Sequence, residues 1–325
     1  MTAQGMVPAR RAGWRSWITT ALKLVVGFGL LAYLVLSGRL QLSTLARVGL
    51  GWEIAAAAAL IVGALLLPCI RWQLLLRYQG LEVPFARAVK LTWIGYFFGL
   101  VLPGAVSGDL VRGLYIVRDN PRARAKAAST VIVDRGLGLY SLFFIGLAPA
   151  VALVTSGQGA GLVRGMSLFT VAVAVVLTSG LLLFCHPESR RRCLRLMPSR
   201  VRDQAHSILS NYCSRPRGLL LCFAISLGAN LLNVIAFVPA ALVLREKLSF
   251  LSALLVGPLV ILANSLPISP GGLGVAESTA SALLDAFGFA AGAEVMLLLR
   301  AILVSAALPG ALLYITDRGS RADGR

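Results

Sequence analysis

Six charged residues stand inside or beside apolar stretches long enough to lie in a membrane: Asp109, Arg112, Asp134, Arg135, Glu277 and Arg300. A charge at mid-bilayer costs on the order of 2.5–3.5 kcal/mol on insertion scales, so each needs a partner, a wet cavity or a route to the interface. Arginines at such depth suit a phosphate, and acids suit a cationic group or a proton. Asp109 and Arg112 are spaced i, i+3 and can meet on one helix face. They make either a local ion pair that lets the segment sit in the membrane or the wall of a polar pocket. Asp134 and Arg135 are adjacent and point to different faces, so each requires another partner, water, or, for Arg135, snorkelling to the interface. Glu277 follows a glycine-rich break, where it either caps a helix start or faces a cavity. Arg300, roughly 10 Å into its apolar run, is a counter-ion for Glu277 or for a phosphate. Arg71, Asn230, Asn233 and Asn264 are secondary polar groups, and the asparagines suit helix–helix hydrogen bonds.

Catalytic patterns are missing. There is no HExxH, GxSxG or Walker A sequence, and the two histidines, His186 and His206, both fall in one basic loop. The five cysteines form no CxxC pair and no defensible zinc pattern. No metal, no cofactor and no enzymatic activity are expected.

The chain has 325 residues, 58% hydrophobic and only 14% charged, where a soluble domain carries roughly 25% charged residues. Its mean hydropathy is +0.82. The net charge of +18 sits mostly in short loops between apolar runs, the positive-inside pattern of cytoplasmic loops, which argues against nucleic acid as a partner. Spans are expected at about residues 18–36, 52–70, 129–154, 162–184, 218–244 and 294–315, each near the ~20 residues a bilayer needs. Trp52 and Trp72 are placed for the two interfaces. The first run is too long for a signal peptide and is read as uncleaved.

Two further apolar stretches, 88–117 and 251–289, are broken by Pro103, Gly104 and Gly108 and by Pro267, Pro270, Gly271, Gly272 and Gly274. Basic segments flank the first stretch on both sides, so it dips in and out of one face. Counting onward, the second enters from the opposite face. The expected fold is all-α: a polytopic integral membrane protein of about six full spans plus two re-entrant hairpins. Both breaks begin Pro-Gly with an acid six or seven residues on, which suggests an inverted repeat and places a transport site at the breaks. The expected organisation is a basic cytoplasmic N-terminus (1–17), a membrane domain (18–316, with halves about 51–155 and 218–316) and a cytoplasmic tail (317–325).

The segments RWQLLL (71–76), LVLPGAVSGDLVRG (100–113), VDRGLGL (133–139) and NSLPISPGGLGVAES (264–278) together resemble the transmembrane region of lysylphosphatidylglycerol synthases, over about residues 20–315. The order and spacing carry more weight than any one segment. Two departures stand out: Ser107 where the family commonly has glycine, and Asp134 where it often has Glu. The resemblance implies a flippase-like domain standing alone, without the soluble domain that attaches the amino acid, so synthase activity is not implied. Its key polar positions fall on Asp109, Arg112, Arg135 and Glu277. The function so implied is movement of a phospholipid or lipid-linked intermediate between leaflets of a bacterial plasma (inner) membrane, with both termini cytoplasmic. Expected partners are membrane lipids with anionic or phosphate-bearing head groups, and a lipid-modifying enzyme. Two alternatives stay open: an ion-coupled secondary transporter of a small solute, and a non-transporting partner of lipid-modifying enzymes.

Overall fold

The computed structural model describes residues 51–101, 107–157, 161–186, 199–266 and 268–322, with single residues at 36, 188 and 192. The expected first span therefore lies outside the described residues, as do Pro103, Gly104 and Pro267. Among the described residues twelve α-helices follow in order: α1 (Trp52–Tyr78), α2 (Phe85–Val101), α3 (Ser107–Asp119), α4 (Arg124–Thr155), α5 (Leu162–Cys185), α6 (Ser199–Cys213), α7 (Pro216–Ile235), α8 (Phe237–Val243), α9 (Phe250–Asn264), α10 (Val275–Asp285), α11 (Gly292–Ala307) and α12 (Pro309–Ala322). The described residues contain no strand.

Among the described residues, five stretches are long and apolar enough to cross a membrane: Trp52–Tyr78, Arg124–Thr155, Leu162–Gly180, Pro216–Val243 and Gly292–Asp317. They correspond to the second through sixth expected spans. Helix α9 is as apolar, but its 15 residues rise only about 22 Å, short of a ~30 Å core. Large side chains such as Val176, Leu220 and Leu312 stand more than half exposed on the outside, as lipid-facing groups must.

The two broken stretches are hairpins. Arg87 at the start of α2 donates to Asp119 at the end of α3 (Nη2–Oδ2 2.9 Å), so the open ends of the first hairpin lie together. Helices α2 and α3 pack almost backbone to backbone. A Cβ on Gly108 would fall 2.1 Å from the Gly95 carbonyl oxygen, and only glycine permits that approach. The second break needs glycine for a different reason: Gly271, Gly272 and Gly274 have φ of 55°, 71° and 77°, in the left-handed region. A 3-10 turn (Pro270–Gly272) carries the chain from α9 toward α10.

The hairpins open at opposite ends. The first opens where α1 finishes, one short loop away. The second opens where α11 begins, and α11–α12 runs back to the first hairpin's end, where Asp317 meets Arg87 and Lys90. Between them the tips touch, since a Cβ on Gly271 would stand 3.4 Å from the Leu100 carbonyl oxygen. The succession span, hairpin, span thus occurs twice in opposite senses, as an inverted repeat requires.

Two expectations need correction. The apolar run ending at Ile70 does not end its helix: α1 continues for two more turns, so Arg71 and Trp72 face the interior and Trp72 is fully buried rather than at an interface. The apolar neighbours Leu91, Ile94, Ile116 and Val131 close around Trp72 and make that position a core. The basic loop before the fifth span also contains a helix, α6, whose Tyr212 packs against Leu75 and Cys222.

Candidate functional site

Five of the charged groups form one connected chain. Arg71 Nε donates to Asp134 Oδ1 at 2.7 Å, and Arg112 Nη2 donates to Asp134 Oδ2 at 2.9 Å. The same Arg112 nitrogen lies 3.0 Å from Asp109 Oδ1, and Asp109 Oδ2 is paired with Arg135. The order is therefore Arg71, Asp134, Arg112, Asp109, Arg135, with charge alternating along it and one positive charge in excess. Adjacent Asp134 and Arg135 indeed avoid each other: one turns inward to α1 and α3, the other outward to α3. Asp109 and Arg112 do pair, but as links in a longer chain rather than as an isolated couple.

Neutral groups orient this chain. Arg71 Nη1 donates to Ser226 Oγ on α7 at 2.7 Å. The Arg112 guanidinium lies 4.4 Å from the Trp72 ring centroid, a cation–π contact between two buried side chains. Trp72 Nε1 in turn donates to Thr130 Oγ1 at 3.1 Å, which fixes the ring. Asn230 Nδ2 donates to the Gly138 carbonyl and to Ser141 Oγ, tying α7 to α4 as helix glue. Arg112 Nε is buried and has no hydrogen-bond partner among the described residues.

All five chain members line a cavity of about 300 Å³. Its walls include Leu100 beside the first break and Asn264 and Gly271 beside the second, so it lies where the hairpin tips meet. Exposure rises along the chain. The side chains of Arg71 and Asp134 are 7% and 4% exposed, whereas those of Arg135 and Asp109 are 28% and 25% exposed.

Glu277 and Arg300 form a separate unit. Glu277 is fully buried, pairs with Arg300 Nε, and accepts the Gly274 amide on Oε2 at 2.7 Å. Arg300 also donates to the carbonyls of Gly271 (2.6 Å) and Gly272 (3.0 Å) and to Asn264 Oδ1 (3.2 Å). This pair holds the second break in shape. Glu277 accepts the amide at the start of its own helix and is not among the residues on the wall of the main cavity. Arg300, Asn233 and Asn264 line a smaller neighbouring cavity of about 150 Å³.

A family match now decides what the arrangement belongs to. Residues 20–312 match the lysylphosphatidylglycerol synthase TM region. The chain belongs to that family. It is also 24% identical, over 288 residues, to a UPF0104 membrane protein of Pyrococcus horikoshii, covering 78% of this chain and 84% of that one. Within a lysylphosphatidylglycerol synthase TM region, the two hairpins and the charge chain occupy the segments that carried the resemblance. The sequence alone puts Arg71 among secondary groups and Trp72 at an interface, and marks neither Ser226 nor Thr130. The signal for Arg71 and Trp72 was present in RWQLLL, whose apolar LLL returns after the charge and keeps the helix going. Ser226 and Thr130 carry no such mark, since a lone hydroxyl in a membrane helix commonly bonds its own backbone.

Proposed function

We propose that this protein moves a phosphate-bearing lipid between leaflets, with the head group held in the cavity at the hairpin tips. The observation that carries this reading is the chain Arg71–Asp134–Arg112–Asp109–Arg135 on the cavity wall, positive by one charge. An anion balances that charge, and a planar guanidinium offers two parallel donors to a phosphate. Hairpins that open at opposite ends and touch at their tips give a site reachable in turn from either face. Acyl chains would stay in the surrounding lipid. In this reading the 51–155 and 218–316 halves are the two repeats and both termini are cytoplasmic, which the basic loops between apolar runs support.

The test is a proteoliposome assay. Fluorescent phosphatidylglycerol on the inner leaflet is protected from membrane-impermeant dithionite unless it is carried out. Wild-type protein should expose it faster than protein-free vesicles, and Arg135→Gln should slow exposure about tenfold, the loss of one charge-assisted contact of about 1.4 kcal/mol. Equal rates for wild type and Arg135→Gln would remove the charge chain from the pathway. Wild-type rates no better than protein-free vesicles would overturn the lipid reading for this lipid class.

A further inference from the structure

Helices α3 and α4 form an antiparallel seam whose register is set by two contacts. A Cβ on Gly113 would stand 3.7 Å from Val131, and Asp109 pairs with Arg135 four residues deeper on each helix. The seam therefore runs in step from the turn at 120–123 down to the partly exposed end of the charge chain. By helical rise, Arg135 lies roughly 16 Å below Arg124. Beside the seam, Leu110, Leu114 and Ile132 are 61%, 69% and 72% exposed, an apolar strip that water would not tolerate and acyl chains would.

At the mouth of the seam, Arg122, Arg124 and Lys126 share a cavity of about 400 Å³ with Gln204, Ser207 and Ile208 of α6. No carboxylate lines it among the described residues. Two acids at this end are engaged elsewhere, Asp119 by Arg87 and Asp317 by Arg87 and Lys90. The α4 N-terminus beside the cavity has no side-chain cap, so its first amides add to the positive field. Three cations, a polar wall and an apolar strip leading away from them match the two ends of one kind of molecule.

We propose that this groove captures an anionic phospholipid from the adjacent leaflet. Its phosphodiester lies among Arg122, Arg124 and Lys126, and its acyl chains lie against Leu110, Leu114 and Ile132. The seam then leads the head group to the Asp109–Arg135 pair. The fate of the lipid rests on the transport reading above, but its capture does not.

Native mass spectrometry of the protein from nanodiscs of phosphatidylcholine with a minor share of phosphatidylglycerol tests the capture step without any transport. Wild type should retain phosphatidylglycerol in preference to phosphatidylcholine. Each of Arg122→Gln, Arg124→Gln and Lys126→Gln should lower that preference about fivefold, as expected for one basic residue near an anionic surface. Arg217→Gln, an exposed cation outside the groove, should leave it unchanged. Three results would overturn the proposal: no preference in wild type, an equal loss in Arg217→Gln, or displacement of the lipid by inorganic phosphate at matched concentration. Loss of dithionite-assay activity alone, with lipid retention intact, would count against the transport reading and leave the capture site standing.

Discussion

Asp134 is the hub of the charge chain, and Asp134→Asn is the sharpest probe of it. The substitution keeps shape and removes one charge between two arginines at 2.7 and 2.9 Å, both less than a tenth exposed. Asn can still accept from one guanidinium, but its amide N–H₂ must then face the other. Arg71 keeps Ser226, and Arg112 keeps Asp109 and the Trp72 face. Two charge-assisted bonds of roughly 1.5–3 kcal/mol are weakened, and removing one partner of a buried pair costs about 3–5 kcal/mol. A net loss of about 3 kcal/mol is expected, which also matches the insertion cost of one unpaired charge. The measurement is reversible unfolding in mixed dodecylmaltoside–SDS micelles, followed by tryptophan fluorescence. Adding Arg71→Gln should recover about half the loss, because one of the two stranded cations is then gone. If Asp134→Asn unfolds within about 0.5 kcal/mol of wild type, or if the double variant is simply additive, the chain is not a coupled unit.

Glu277→Gln should also destabilise by about 3–5 kcal/mol, and combined with Arg300→Gln it should cost clearly less than the sum of the two single changes. The same micelle titration checks it. Full stability of Glu277→Gln would mean that Arg300 is satisfied by the carbonyls of Gly271 and Gly272 alone. Gly108→Ala should lower the yield of monodisperse protein and cost upwards of about 1–3 kcal/mol, because its Cβ meets Gly95 backbone atoms at 2.1 and 3.0 Å. Gly136→Ala, with nothing within 4 Å, should be neutral or slightly stabilising by the helix propensity of alanine; size-exclusion profiles in detergent compare the two.

Most of the fold was legible because lipid demands long apolar runs and punishes broken ones. The runs at Trp52, Leu162 and Gly292 announce themselves by length, and the breaks at Gly108 and Gly271–Gly274 by residues that only a close approach or a positive φ requires. Boundaries were less legible. Arg71 and Trp72 look like the end of a span, because an arginine and a tryptophan are what interfaces attract. Only the tertiary partners Asp134 and Arg112, distant in sequence, make an interior position affordable for them. The candidate site was visible as a set of charges but not as a chain. Spacing within one helix predicts the Asp109–Arg112 contact, whereas Arg71–Asp134 and Arg135–Asp109 depend on which helix faces which. Glu277 was assigned by its place after glycines, and the same fact fits a cap and a cavity wall equally well until Arg300 is seen to cover it.

The alternating chain has an odd number of members and ends on a cation at both ends. No arrangement of its own protonated groups makes it neutral: protonating either aspartate only widens the imbalance. On the proposed lipid reading, one negative charge from a head group would balance the excess. A phosphodiester brings one such charge, a phosphomonoester close to two at neutral pH, and a zwitterion none in total. In that reading, parity would sort head groups by net charge. Among lipids of similar bulk, occupancy should follow net head-group charge and peak at minus one.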